Sequence, residues 1–514
     1  MTFDDLVIGG GAAGCLLAAR LSENPSRRVA LIEAGGGKRG WLHSIPGLGP
    51  FAAKAKTGLW RHQGEAEENL AGRSAMILQG MMLGGSAALN GMVYTRGHAA
   101  DYDAWGVPGW SARDVLPYFA RGKRPVPVRA SRPASPLPGR FIAAAGEAGF
   151  AITDDLNADA IDAFGLTEVT IAGGQRANTR RILLEPALGR ENLTIFTGAR
   201  ARRLLIEAGR VTGVEIQYRG ERLILRVERE VVLAAGGIGS PHLLLASGIG
   251  PADALRAVGV TPRHDLPGVG QGLQNHPSFA LRYRIEEPVS LKRYTAPLAG
   301  LGALWSYWRR GEGPLAEGVF NAAGFVRTQD DLAAPDAQIV MSPVLFPAEA
   351  ATGLSLLPKR HGLTLAVQQG SPFSRGEVTL ASADPLAPPR IRTGAFTDRR
   401  DIEVLGRAIR IARRIMRQPA MRGAVPELPD EAFDTPEAME ASIRSLAGTA
   451  YHQCGTCRMG EGPLAVVDET LRLHGLAGLR VADGSIIPRL HNAALQAPTM
   501  MIAERAAEFI AAEG

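Results

Sequence analysis

Residues 3–36, FDDLVIGGGAAGCLLAARLSENPSRRVALIEAGG, decide the fold. A short apolar run from Asp5 to Ile8 meets Gly9, Gly11 and Gly14 in G-x-G-x-x-G spacing, and the helix-like AAGCLLAARLSE follows. The run RVALIEAGG then reads as a second strand ending at Glu33. Strand, glycine turn, helix, strand and acid in this order form the plan of a dinucleotide-binding βαβ unit. Gly9 allows the tight turn, Gly11 lets the backbone approach a pyrophosphate, and Gly14 lets helix and strand pack closely. The helix amino end, at Ala12 and Ala13, offers unpaired N–H groups and the positive end of a dipole to the phosphates. Glu33, 19 residues past Gly14 (33 − 14), is placed to accept from a ribose 2′-OH, with Ala34 beside it. A carboxylate there repels a 2′-phosphate, which disfavours NADP. The motif does not distinguish a flavin from a nicotinamide dinucleotide.

The rest of the composition suits such a protein. At 514 residues the chain has room for about two to four domains, or one large domain with insertions. With 46% hydrophobic and 21% charged residues it is globular α/β in character, without repeats or low-complexity tracts. The net charge of +6 is a mild excess of Lys+Arg over Asp+Glu spread along the chain. No basic run interleaved with aromatics is present, so nucleic acid is not an expected partner. Three cysteines exclude a disulfide scaffold and suit a reducing compartment. Structured sequence begins within a few residues of Met1, and no apolar run reaches the length of a membrane span. The expected location is the cytoplasm.

The stretch from Tyr451 to Gly460, YHQCGTCRMG, gathers one histidine and two of the three cysteines. A metal knuckle needs four ligands, and only three stand here with no second cluster elsewhere. A redox CxxC asks for a helix amino end to lower a thiol pKa, whereas Cys454 to Cys457 read as a turn. His452 is then either a catalytic base or a buried histidine satisfied by backbone.

Three further segments carry a family likeness. They are GMMLGGSAALNGMVYTRGHAADYDAW (Gly80 to Trp105), AAGGIGSPHLLLASGIGP (Ala234 to Pro251), and YHQCGTCRMG followed by LRVADGSIIPRLHNAALQAPTMMIAERAAEFI (Leu479 to Ile510). Together with the amino-terminal unit they resemble the glucose–methanol–choline (GMC) family of FAD-dependent oxidoreductases, from the first strand to the last helix. The resemblance implies an α/β fold of two domains: a Rossmann-like FAD domain from residues 1–155, 195–275 and 440–514, interleaved with a substrate domain on an antiparallel sheet from 156–194 and 276–439. It implies that Gly84, Gly85, Asn90, Gly91, Met92 and Val93 wrap the flavin ring. It also places Trp60, Ala201, Ala235, Gly236, Tyr451, Ala482 and Asp483 at the cofactor. A helix starting at Pro498, with Ala497 and Thr499 beside it, points its amino end at the flavin, where its dipole favours a reduced ring. Where some members attach the flavin covalently through a histidine this chain has Leu89, so the FAD is expected to be non-covalent.

Within that likeness His452 sits above the flavin as general base. Oxidising a primary or secondary alcohol removes the hydroxyl proton while a hydride leaves the adjacent carbon for flavin N5, and imidazole is matched to that proton near neutrality. The second catalytic position departs from the family: the residue before APT is Gln496, where asparagine or histidine is usual. Glutamine keeps an amide donor and acceptor but cannot take a proton. The expectation is that His452 is the only base and Gln496 orients the hydroxyl, the alternative being that Gln496 merely packs. Cys454 also departs from the family, and Cys454→Ala is expected to leave activity mostly intact.

Residues 121–139 are rich in Pro, Arg and Ser and read as an irregular surface crossing, with a lid as the alternative. Alternating runs between Pro277 and Glu440, such as SFALRYRIE, DAQIVMSPV, GLTLAVQQG and GEVTLAS, predict the substrate sheet, and DRRDIEVLGRAIRIARRIMRQ a covering helix. Phe320, Asn321, Leu345, Phe346, Gln368 and Gln369 are pocket candidates by segment alone. The substrate leaning is toward small aromatic or heteroaromatic hydroxymethyl compounds, with O2 or another electron acceptor. Choline or an aliphatic alcohol, an FAD-containing lyase and a non-catalytic flavin protein are the alternatives.

Overall fold

In the computed structural model, which describes residues 1–37, 40–49, 58–120, 124–159, 161–347 and 358–513, the glycine turn behaves as its spacing requires. Thr2–Ile8 forms a strand, Gly9 turns with φ +107°, and Ala12–Leu21 is helical. An added Cβ at Gly14 would lie 1.8 Å from the Gly9 carbonyl oxygen, so helix and strand meet at a contact only glycine permits.

Val29–Glu33 pairs parallel with Thr2–Ile8, and Leu193–Thr197 pairs parallel on its far side. On the other flank lies Glu221–Leu233. Its carboxyl-terminal half runs parallel to Thr2–Ile8 and to the short strand Leu479–Val481. Its amino-terminal half closes an antiparallel meander with Arg210–Tyr218 and Ala199–Glu207. The seven-stranded sheet is thus a parallel dinucleotide-binding core with a β-meander added. The Ala12–Leu21 and Gln496–Ala512 helices pack together on one face.

A second, eight-stranded sheet is antiparallel at its centre. Pro277–Arg284, Gly362–Gln369, Ala337–Ser342, Ala322–Val326 and Ala163–Leu166 pair in that order. One face carries Phe279, Leu281, Ile339, Met341, Leu365 and Val367 into a core under the Arg399–Met416 helix. Asp398 caps that helix by accepting from Arg400 N–H. The opposite face turns toward the first sheet. Strands with this period of two therefore bury one row and line a cavity with the other.

Several boundaries differ from the sequence expectation. Leu137–Glu147 and the strand Ala151–Ile152, expected in the first unit, belong with the second: Phe141 joins its core and Ala151 pairs with Ala163. Conversely, Arg180–Leu184, expected in the second unit, packs on the Ala12–Leu21 helix and leads into the strand beside Glu33. The GEVT strand, Gly376–Thr379, leaves the large sheet for a small one with Gln271–Leu273 and Arg390–Arg392. The last helix begins at Gln496, two residues before Pro498, because a proline in a first helical turn gives up only an N–H that has no intrahelical partner. Of the expected surface crossing, residues 121–123 lie outside the described residues; Arg129–Ala130 pairs with Glu168–Val169.

Candidate active site

A cavity of about 830 Å³ runs between the two sheets, from Gly11 and Glu33 at one end to His452 and Gln496 at the other. Its volume lies at the large end of small-molecule sites. At the glycine end the Ala12–Leu21 helix has no side-chain cap and no acid in its first turn, so its N–H groups face the cavity uncompensated. A Cβ on Gly11 would meet nothing closer than 3.9 Å and would project into that space. Glu33 is fixed by its own chain: Oε2 accepts from Gly10 N–H at 2.8 Å and Oε1 from Gly35 N–H at 2.7 Å. Burial pushes its carboxyl up, and these two N–H groups act against that.

At the other end, three histidines form a chain. His276 Nε2 lies 3.0 Å from the His491 carbonyl oxygen, and His276 Nδ1 lies 2.8 Å from His452 Nδ1. A carbonyl only accepts, so His276 carries its proton on Nε2. Burial lowers the His276 pKa to about 4, so near neutrality its Nδ1 is bare and accepts. His452 therefore donates from Nδ1, and its Nε2 keeps a lone pair. Burial, and then the neighbouring histidines, hold the His452 pKa well below the usual range, so the ring is a neutral proton acceptor. Asn275 Oδ1 accepts from His452 N–H at 2.8 Å and fixes the backbone from which the ring projects.

Opposite stands an amide relay. Arg176 Nη1 donates to Asn90 Oδ1 at 2.6 Å, and Met92 N–H donates to the same oxygen at 3.1 Å. That orients the Asn90 amide, whose Nδ2 donates to Gln496 Oε1. Gln496 Nε2 is left as a buried donor without a partner among the described residues, in the wall of the cavity. A buried donor of this kind costs free energy until an acceptor arrives.

Family profiles described as GMC oxidoreductase match residues 3–278 and 372–503. The chain belongs to the GMC oxidoreductase family. It is 38% identical, over 99% of its length and 96% of the relative's, to an oxygen-dependent choline dehydrogenase of Rhizobium johnstonii. Among solved structures it resembles pyridoxine 4-oxidase from Mesorbium loti, with TM-score 0.88, 30% identity and 98% of each chain covered. It also resembles a formate oxidase, with TM-score 0.93, 26% identity, and 100% and 98% covered. As a GMC oxidoreductase it acts on the CH–OH group of its donors and uses FAD. The uncapped helix, the open Gly11 and the unpaired Gln496 Nε2 fit such a cofactor and a substrate beside it.

Of the residues expected at the cofactor, Gly9, Gly11, Ala12, Ala13, Glu33, Ala34, Trp60, Gly85, Asn90, Gly91, Met92, Val93, Ala201, Ala235, Gly236, Tyr451, Asp483 and Thr499 line the cavity. Gly14, Gly84, Ala482, Ala497 and Pro498 do not line it. Gly14 is consumed by the contact with Gly9, and Gly84 N–H is turned back onto the Gly10 carbonyl at 2.7 Å. Ala482 pairs with Leu233, and Ala497 and Pro498 are buried in the helix turn behind Gln496. Asp483 lines the wall, but its carboxylate anchors Gly236 N–H, Ser240 Oγ and Ser485 N–H. Leu89 lines the cavity and has no atom able to bond a flavin.

Among the pocket candidates, Phe320, Phe346 and Gln368 line the cavity, whereas Asn321, Leu345 and Gln369 do not. Gln369 faces the other side of its strand and donates to Asp401 at 2.7 Å. Cys454 and Cys457 are free and buried, and burial pushes both thiols up, opposite to what a redox pair requires. His276, Asn275 and Arg176 were not anticipated. QNHP at 274–277 carries the only local signal, a histidine before a proline among amides.

Proposed function

We propose that this enzyme oxidises a primary or secondary alcohol to an aldehyde or ketone with His452 as the single base. The observation that supports this reading is the fixed tautomer: the His491 carbonyl orders His276, His276 orders His452, and His452 Nε2 is the atom left to take a hydroxyl proton. FAD held along the turn at 9–13, Glu33 and residues 85–93 would supply the acceptor for the hydride. Gln496 Nε2 donates to the substrate oxygen and holds it as the O–H bond weakens. His276 Nδ1 accepts from His452 Nδ1–H throughout, so the imidazolium formed is spread over a hydrogen-bonded pair rather than left bare in an apolar wall.

The substrate leaning follows the second sheet. Gln338, Gln368 and Ser278 are register neighbours across three strands, and all three line the cavity. Phe320 and Phe346 lie beside them with ring centroids 6.4 Å apart. Two rings and two amides suit a small, flat hydroxymethyl arene or heteroarene with polar ring substituents. Choline is the second reading, favoured by the similarity to choline dehydrogenases. Against it, the acidic side chains among the described lining residues are Glu33 and Asp483, both already held by backbone, so a trimethylammonium group would meet aromatic faces but no free negative charge.

The test is anaerobic mixing of the purified flavoprotein with a panel of alcohols, followed by air. Bleaching of the flavin band by aromatic alcohols supports the reading, and the speed of recovery in air separates an oxidase from a dehydrogenase. Failure of every alcohol to bleach it, together with cyanohydrin cleavage or no turnover, overturns it.

A further inference from the structure

The helix Pro297–Arg310 covers little of the protein. Leu298, Leu301, Leu304, Trp305 and Trp308 are all more than half exposed, Leu298 at 85% and Trp308 at 77%. Positions 298, 301, 305 and 308 fall on one stripe of a 3.6-residue helix, opposite Ala303, the buried residue by which the helix rests on the protein. The two indoles touch, with centroids 5.6 Å apart. A contiguous apolar stripe of this size marks an interaction surface.

Its rim is basic. Residues 288–311 contain Lys292, Arg293, Arg309 and Arg310 and no Asp or Glu. Of the acids that flank this stretch in sequence, Glu287 is paired with Arg140 at 2.8 Å, Glu317 with Arg129 at 2.9 Å and Glu312 with Arg310 at 3.6 Å, which leaves the exposed Glu286 against Lys292, Arg293 and Arg309. Two copies of this face brought together would oppose cation to cation. An anionic lipid surface complements both features, since tryptophan and leucine enter the interface while Lys and Arg meet the headgroups.

We infer that the Pro297–Arg310 helix docks the enzyme on an anionic lipid surface as a peripheral, in-plane helix. Among the described residues no helix is long and apolar enough to cross a membrane, so the attachment is to one leaflet. The chain leaving this helix returns through Pro314–Ala316 to Val319 and Phe320 in the cavity wall. This inference is independent of which alcohol is oxidised.

The test is flotation of the FAD-loaded enzyme with vesicles of phosphatidylcholine, with and without phosphatidylglycerol. Binding is expected only with the anionic lipid, with a blue shift of tryptophan emission and loss at high salt. A Trp305→Ala/Trp308→Ala variant, with flavin spectrum and thermal midpoint unchanged because both side chains are exposed, should bind at least tenfold more weakly. Arg309→Gln and Lys292→Gln should each cost roughly fivefold. Absence of binding, equal binding to neutral vesicles, or binding unaffected by these variants overturns the inference. So does a solution dimer that the tryptophan variant dissociates, which would assign the face to a second copy.

Discussion

His276 Nδ1 and His452 Nδ1 lie 2.8 Å apart, and the two rings stand perpendicular at a centroid distance of 5.0 Å. Two neutral imidazoles can share that contact only if one is bare and the other protonated at the facing nitrogen. The His491 carbonyl decides which.

His276 is therefore a positioning residue. In His276→Phe the His452 Nδ1–H loses its acceptor, and flavin reduction should slow about 10- to 100-fold, part of what the base itself supplies. His276→Asn offers an amide oxygen to the same proton and should recover most of the rate. Equal losses in both variants, by stopped-flow reduction, would reduce His276 to a packing role.

The pH dependence of kcat/KM follows from the low His452 pKa. A base whose pKa is held below the usual histidine range stays competent as pH falls through 6.5, so the acid limb should lie below that value. A limb at or above 6.5 would show that the ring is solvated as in a free peptide.

Gln496 should behave as a donor. Gln496→Ala is expected to slow reduction about 10- to 100-fold, the size of one oriented hydrogen bond to developing charge. Gln496→Glu still accepts from Asn90 but has no N–H for the substrate, so it should lose at least as much. Retention of activity in Gln496→Glu, measured with the same alcohol, would remove the amide from the mechanism.

These relationships were legible to different depths. The dinucleotide unit could be read because each glycine acts within its own turn and the acid lies one strand away. Gln496 could be flagged because it departs from a contiguous motif. His276 could not, since it meets His452 across 176 positions, from the edge of the other sheet. Arg176 was hidden likewise: its contact with Asn90 spans 86 positions, and a buried arginine among carbonyls has no sequence signature. The choice of Gln368 over Gln369 for the cavity needed the strand frame, because one residue of register exchanges the two faces.

Acid should destabilise the fold through the same cluster. His276 and His491 are fully buried, with pKa values lowered by burial to about 4 and about 3. Each binds its proton near pH 6.5 when unfolded and not when folded, so stability is complete above 6.5 and falls as pH drops toward 4. By pH 5 the pair gives up on the order of 4 kcal/mol. Neither ring nitrogen of His491 has a partner among the described residues, so His491→Phe loses no hydrogen bond and should flatten the decline of the thermal midpoint. An unchanged decline would place the acid sensitivity elsewhere.

The flavin should dissociate. Leu89 stands in the cavity wall and forms no bond to the cofactor, so denaturation should release the yellow colour into the supernatant. Colour retained in the precipitate would require a covalent link through another residue.

The most direct measurement is the rate constant of anaerobic flavin reduction by a bleaching alcohol in the wild type and in His452→Ala, with FAD content matched by absorbance. A loss of about 10²- to 10⁴-fold is expected if His452 is the single base. A loss under about tenfold, beside a larger loss in Gln496→Ala, would contradict it.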